Sequence, residues 1–350
     1  KGQLLGGSEE WIPVLRSMRT SGRWHDMHPD MPDTLRAAHA YLNMLASILS
    51  SSSLDCDPAS VEAAYMKCVR RFKLGGRWSP YAVTMAGMLS MKNVMTLLQK
   101  VDERKLPGHY LEAGVWRGGM SIFAKAVVDT FKMHRTVYLC DSFQGLPLPR
   151  AGSLRRDEHF YATRRGLNAT LAQGQATVAA NFRMYGVSLS HVNFIKGYFV
   201  SSLPTLRDEL LANKQQIAIL RLDGDMYDST IDILYNLYDL VPVGGFIIID
   251  DFGWNHGTAP KTWRFGAKDA ILDFRAIHGI EDFDHLFHNI DGLGAWFQKR
   301  RQVELQRHKY IAAVRGGNYT ELRPEQKLTA DDYARLMRGY NAGANKWEAL

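Results

Sequence analysis

The chain has 350 residues, 46% of them hydrophobic, which is enough to bury a full core in one catalytic-sized domain with appendages. Its formal charge of +7 is spread along the sequence, with the densest patch, Lys299-Arg300-Arg301 with Arg307 and Lys309, toward the C-terminal end, which argues against a nucleic-acid binder. Three cysteines, Cys56, Cys68 and Cys140, lack Cys-x-x-Cys spacing and argue against a zinc site or disulfide scaffold, and no apolar run reaches the roughly 18 residues of a membrane helix.

Residues 1 to 80 show no strand alternation and read as a helical cap or lid. One helix runs from Thr34 to Leu49, capped by Asp33 or Thr34; a second starts at Asp57-Pro58, a cap followed by proline at the first helical position. Arg70 to Trp78 form an exposed connection. Residues 81 to 300 alternate strand and helix. A helix from Met85, with Thr84 placed both to cap it and to face a ligand, leads to a strand at His109 to Glu112. A helix from Met120 to Lys132, a strand from Thr136 to Cys140, a loop-rich insert near 146 to 165, a helix from about Asn168 to Tyr185 and a strand at Val192 to Ile195 follow. The short apolar runs Ile217 to Leu222 and Gly245 to Ile249 read as buried strands joined by a helix from Met226 to Leu240. A helix from Ala267 to His278 and strands at Asp284 to Phe287 and Ala295 to Gln298 close the sheet, and residues 301 to 350 read as a polar helical tail.

Strand, helix, strand at this spacing is a right-handed crossover of a parallel sheet, so Asp223, ending the first run, and Asp250-Asp251, ending the second, arrive at the edge where open α/β sheets bind ligands. Oxygen ligands from Asp223, Asp250 and Asp251 suit a hard divalent cation with sites left open, whereas Asp225 is assigned as the cap of the helix at Met226. At the other carboxylate-bearing turn, Glu112-Ala113-Gly114-Val115-Trp116-Arg117-Gly118-Gly119 is a strand, a glycine turn and a helix start, with Asp141-Ser142 ending the next strand some thirty residues on. A glycine turn followed by a strand-end acid fits an adenosine cofactor, the acid accepting both ribose hydroxyls. Glu112 suits the amino group of a methionine moiety better than a pyrophosphate. Gly114, Gly118, Arg117, Ser142 and the turn Gly197-Tyr198-Phe199 complete the candidate cofactor contacts, Arg117 with a structural salt bridge as its other reading. His256 and His278 read as structural rather than as bases.

These blocks, with Asn181-Phe182-Arg183-x-Tyr185-Gly186, Leu220 to Thr230 and Asp273-Phe274-Arg275-Ala276-x-His278-Gly279-Ile280, resemble the macrocin O-methyltransferase family over about residues 84 to 297. Two departures are Ala113, where the family pattern leads one to expect threonine, and an insert from Trp254 to Gly266 on the acceptor side. The resemblance implies a class I methyltransferase fold with a mostly parallel seven-stranded sheet, S-adenosylmethionine as methyl donor, Mg²⁺, and methylation of a sugar hydroxyl on a small-molecule or glycoside substrate. Asp223, as ligand and neighbour of the acceptor hydroxyl, is the candidate proton acceptor. The alternative is a metal-dependent glycosyltransferase using Asp223-Gly224-Asp225 as a nucleotide-sugar site, a reading that leaves Glu112, Asp141 and Asp250-Asp251 without a role. The expected setting is cytoplasmic, with a secretory lumen left open by the sequons at Asn168 and Asn318 and by a start at Lys1; a homo-oligomer is a further expectation.

Overall fold

Five apolar runs lie side by side in parallel in the computed structural model, which describes residues 31–51, 81–163, 169–253, 266–280 and 287–324. They are His109–Ala113 (β1), Val137–Asp141 (β2), Val192–Lys196 (β3), Ile217–Leu222 (β4) and Phe246–Ile249 (β5). Two short strands, His288–Asn289 (β6) and Ala295–Gln298 (β7), join antiparallel beyond β5, giving the order β3-β2-β1-β4-β5-β7-β6. Strand order reverses between β1 and β4, which opens a crevice at their carboxyl ends.

Side-chain alternation along the strands builds a core on each face. Leu220 and Leu222 of β4 with Ile247 and Ile249 of β5 point to one core; Ile219, Phe246 and Ile248 point to the other. Helices Asp33–Leu49 (α1), Met88–Glu103 (α2) and Gly119–Thr130 (α3) cover the second core. A short helix, Arg155–Thr163 (α4), lies in the insert, and Gln175–Met184 (α5) adds Val178 and Phe182 to the α3 side. Phe199–Ala212 (α6), Tyr227–Leu237 (α7) and Ala267–Ile277 (α8) cover the first core.

Differences from the expected elements have local causes. The helix expected from Met85 begins at Met88 because Gly87 is extended, and Thr84 Oγ1 accepts the Ala86 amide in a tight turn instead of capping. Neither Asp33 nor Thr34 caps α1 through its side chain; Pro32 precedes the helix. The expected helix from Asn168 gives way at Gly174, after which α5 starts. Within the segment expected as a polar helical tail, Arg307–Gly316 (α9) and a 3₁₀ turn at Thr320–Leu322 bury Tyr310, Tyr319 and Leu322 in the first core. Tyr310 and Tyr319 both donate to Asp232 Oδ1 of α7, and Arg150 pairs with Asp232 Oδ2 at 2.9 Å. The Asp57-Pro58 helix, the Arg70 to Trp78 connection, Cys56, Cys68, His256 and nearly all of the expected strand from Asp284 lie outside the described residues. Cys140 is buried in the core, as its apolar strand implies.

Candidate active site

The crevice begins where β1 turns into α3. Gly114 has φ +93°, and a Cβ there would lie 1.8 Å from the Asp223 carbonyl oxygen, so only glycine lets the β1 turn cross the end of β4. The crossing is laced by the Asp223 amide donating to the Ala113 carbonyl at 2.8 Å and the Gly114 amide to the Cys140 carbonyl at 2.8 Å. Gly118, also left-handed, starts α3, and the Gly119 amide donates to the Val83 carbonyl at 2.9 Å, which brings Val83 and Thr84 against the helix start.

Asp141 ends β2 beside this turn. Its two oxygens accept the Val115 amide at 2.8 Å and the Phe143 amide at 2.7 Å, and burial raises its pKa against the pull of those amides. Ser142 faces its own loop, donating to the Gly145 carbonyl and accepting the Gln144 amide. Arg117 stacks 4.4 Å from the centre of the Trp116 ring and donates to the Ala82 carbonyl. Gly197 follows β3, and the Phe199 ring closes against Gly224, 3.2 Å from where a Cβ would stand. Thr84, Gly114, Arg117, Gly118, Asp141 and Ser142 therefore gather around one turn, with Gly197 and Phe199 on the adjoining strand end.

Glu112 lies beneath this turn. It is 1% exposed, with Oε1 on Arg221 Nη1 at 2.7 Å and Oε2 accepting from Ser121 and, at 3.4 Å, Tyr110. Both oxygens are engaged beneath the turn. Arg221, itself 1% exposed, also pairs with Asp223 Oδ2 at 2.6 Å and, through Nη2, with Asp250 Oδ1. Burial disfavours its charge, but Asp223, Asp250 and Glu112 together outweigh that and hold it protonated. Burial still pushes Glu112 up to about 7.

On the open side of Arg221, one oxygen from each of Asp223, Asp225 and Asp251 lies within 4.8 Å of the others. Asp250, with one oxygen on Arg221, adjoins this group through the chain. Burial and mutual repulsion push Asp225 up to about 7 and drive Asp223 and Asp251 well above the usual carboxylate range, although Arg221 pulls the latter two down. An oxygen-only set of crowded, partly buried carboxylates is a donor set for a hard divalent cation, whose charge would relieve the repulsion.

Asp225 does not cap the following helix. The Tyr227 amide is taken at 2.8 Å by Oδ2 of Asp157, seventy positions earlier in the insert. His278 is structural, as expected: Nδ1 donates to the Phe274 carbonyl and Nε2 accepts the Gln306 amide. The sequence reading passes over Arg221, Ser121 and Asp157. Arg221 carries a signal, since a cation inside a buried strand requires acidic partners on neighbouring strands; Asp157 carries none, because its partner is fixed only by the tertiary fold.

The sequence model of the family described as macrocin-O-methyltransferase (TylF) matches residues 9–299, reaching further upstream than the motif resemblance. The demethyldecarbamoylnovobiocin O-methyltransferase of Streptomyces niveus is 34% identical over 268 residues, covering 75% of this chain and 94% of that protein. The mycinamicin III 3''-O-methyltransferase of Micromonospora griseorubida is 34% identical over 227 residues, 63% of this chain and 80% of its own length. The solved O-methyltransferase NovP superposes with a TM-score of 0.62 at 32% identity, over 75% of this chain and all of that one.

Proposed function

The chain belongs to the macrocin O-methyltransferase family and has its class I methyltransferase fold, and on that premise we propose that it transfers the methyl group of S-adenosylmethionine to a hydroxyl on the sugar of a glycosylated natural product, with Mg²⁺. The names of its relatives support that acceptor class; one is named as the 4'-O-methyltransferase of a rhamnosyl tetracenomycin, from Streptomyces olivaceus. The observation that carries the reading is the juxtaposition, across the β1–β4 crossing, of the glycine turn with Asp141 and the carboxylate group of Asp223, Asp225 and Asp251.

The turn residues Thr84, Gly114, Arg117 and Gly118, with Asp141, Ser142, Gly197 and Phe199, bind the methyl donor, Asp141 accepting from the ribose. Glu112 serves this end from beneath, through Arg221 and Ser121. Asp223 and Asp251 hold the cation, joined by the free oxygen of Asp250 and by Asp225. When bound, the ion orients adjacent acceptor hydroxyls and lowers the pKa of the one attacked, and the donor supplies an electrophilic methyl on a sulfonium. Asp223 receives the hydroxyl proton. Arg221 holds Oδ2 of Asp223 and Oδ1 of Asp250, which leaves the other oxygen of each for the crevice.

Incubation with methyl-labelled S-adenosylmethionine and a panel of sugars, glycosides and catechols tests the reading. Label is expected in a glycoside ether, in Mg²⁺ and not in EDTA, and lost in D223N. Label in a catechol alone, or transfer unaffected by EDTA, overturns it.

A further inference from the structure

The hairpin of β6 and β7 is too short to be stable by itself, so its turn must be fixed from elsewhere or by its own side chains. Asp291 does both. Its Oδ1 accepts the Leu293 amide at 3.0 Å and the Gly294 amide at 2.9 Å, and Asn289 Oδ1 takes the Gly292 amide at 2.8 Å, so three successive turn amides go to two side chains of the hairpin. Its Oδ2 reaches outward and accepts the hydroxyl of Ser90, in the first turn of α2, at 2.9 Å. Because β7 runs antiparallel to β5, with Ala295 opposite Ile249, this turn lies beside the acids that follow β5. A Cβ on Gly294 would stand 3.6 Å from the Asp250 carbonyl oxygen, and the Leu293 carbonyl accepts the Gly253 amide at 2.7 Å. At its other end the acid loop is held by the Asp250 amide donating to the Leu222 carbonyl at 2.9 Å. Asp251, which Asp225 and Asp250 repel, thus stands between two backbone anchors, one on β4 and one on the hairpin turn.

We propose that Asp291 is a positioning residue for Asp250 and Asp251: it fixes the β6–β7 turn internally through Oδ1 and to α2 through Oδ2, so that the Leu293 carbonyl holds Gly253 and sets the acid loop against Asp223. This rests on the reading of the carboxylate group as the cation site. It also ties the helix that follows Thr84 to the loop that follows β5, through one carboxylate outside both the donor turn and the acid group.

The test compares D291A and D291N with the unaltered chain by crystallography and by calorimetric titration with Mg²⁺ and with S-adenosylhomocysteine. In D291A the Gly253 to Leu293 bond is expected to open and the Asp251 carboxylate to leave Asp223 and Asp225, with Mg²⁺ affinity reduced about tenfold, the lower end of what partners behind a metal ligand typically contribute. D291N removes the charge but keeps an oxygen for the two turn amides and a nitrogen that donates to Ser90 Oγ, and is expected to restore both the Asp251 position and the Mg²⁺ affinity. Homocysteine-product affinity in EDTA is expected to be the same in all three, because the Thr84 turn is held separately by the Gly119 amide on the Val83 carbonyl. If D291A is too unstable to isolate, S90A, which strips Oδ2 of its partner, is expected to lower Mg²⁺ affinity about threefold, one of three bonds to the carboxylate being lost. Asp251 unmoved in D291A, undiminished Mg²⁺ affinity in D291A or S90A, or D291N as weak as D291A overturns the inference. Absence of Mg²⁺ binding by the unaltered chain counts instead against the cation reading, and the position of Asp251 in the variant crystal still decides the role of Asp291.

Discussion

Replacing Arg221 by methionine removes the cation that Glu112, Asp223 and Asp250 share. Asp223 and Asp250 have side chains 28% and 23% exposed and can recover some hydration; Glu112, at 2%, cannot. Breaking a buried ion pair from one side costs about 3–5 kcal/mol because a charge is left uncompensated. Glu112 already stands at about 7 with Arg221 present, so without it the carboxyl titrates higher still and escapes the penalty by protonating. A group whose folded pKa is raised above its unfolded value loses its stabilising contribution as pH rises through the folded pKa. The R221M deficit arising at Glu112 is therefore expected to be small near pH 5.5 and to reach about 1.4 kcal/mol at pH 8, one pH unit above about 7, with E112Q added to R221M recovering much of it. Urea unfolding at the two pH values measures this. A deficit below about 1 kcal/mol at pH 8, or one equal at both pH values, would refute the reasoning.

In G114A the new methyl group, 1.8 Å from the Asp223 carbonyl oxygen, must part β1 from β4; about 2–5 kcal/mol of destabilisation and loss of S-adenosylhomocysteine binding are expected, read by urea melts and calorimetry. With Asp225 and Glu112 at about 7 and Asp232 at about 6, all above their unfolded values, the metal-free protein is expected to lose stability as pH rises from 5 to 8, and Mg²⁺ to raise Tm more at pH 8 than at pH 5. A Tm in EDTA that rises over that range would contradict the crowding described here. Y319F removes a donor to the buried Asp232 and is expected to cost about 1–3 kcal/mol while leaving S-adenosylhomocysteine affinity unchanged, because its partner Asp232 is none of the donor-binding residues.

Much of this architecture is legible in the sequence because β4 and β5 are buried on both faces and so appear as continuous apolar runs between turn residues. The turn at Gly114 and the acids at Asp141, Asp223, Asp250 and Asp251 are legible for the same reason: each follows directly on a readable strand. Helix starts are less legible. Gly87 and Gly174 delay α2 and α5, a backbone choice that apolar periodicity does not report. The exposed polar residues of α9 hide its buried Tyr310, so a segment packed in the core reads as a polar tail. Asp225 looks like a cap from its place near the helix start, but Met226 holds the N-cap position and the Tyr227 amide goes to the distant Asp157. The buried partners of Glu112, Arg221 and Ser121, are not legible because they lie on other elements.

The most direct test of the account is calorimetric titration with S-adenosylhomocysteine in Mg²⁺ and in EDTA, with a UDP-sugar titrated in parallel. Binding of the homocysteine product in both conditions, and none of the UDP-sugar, is the predicted result. Binding of the UDP-sugar alone, and only in Mg²⁺, would contradict the methyl-donor site and return the carboxylates to a nucleotide-sugar role.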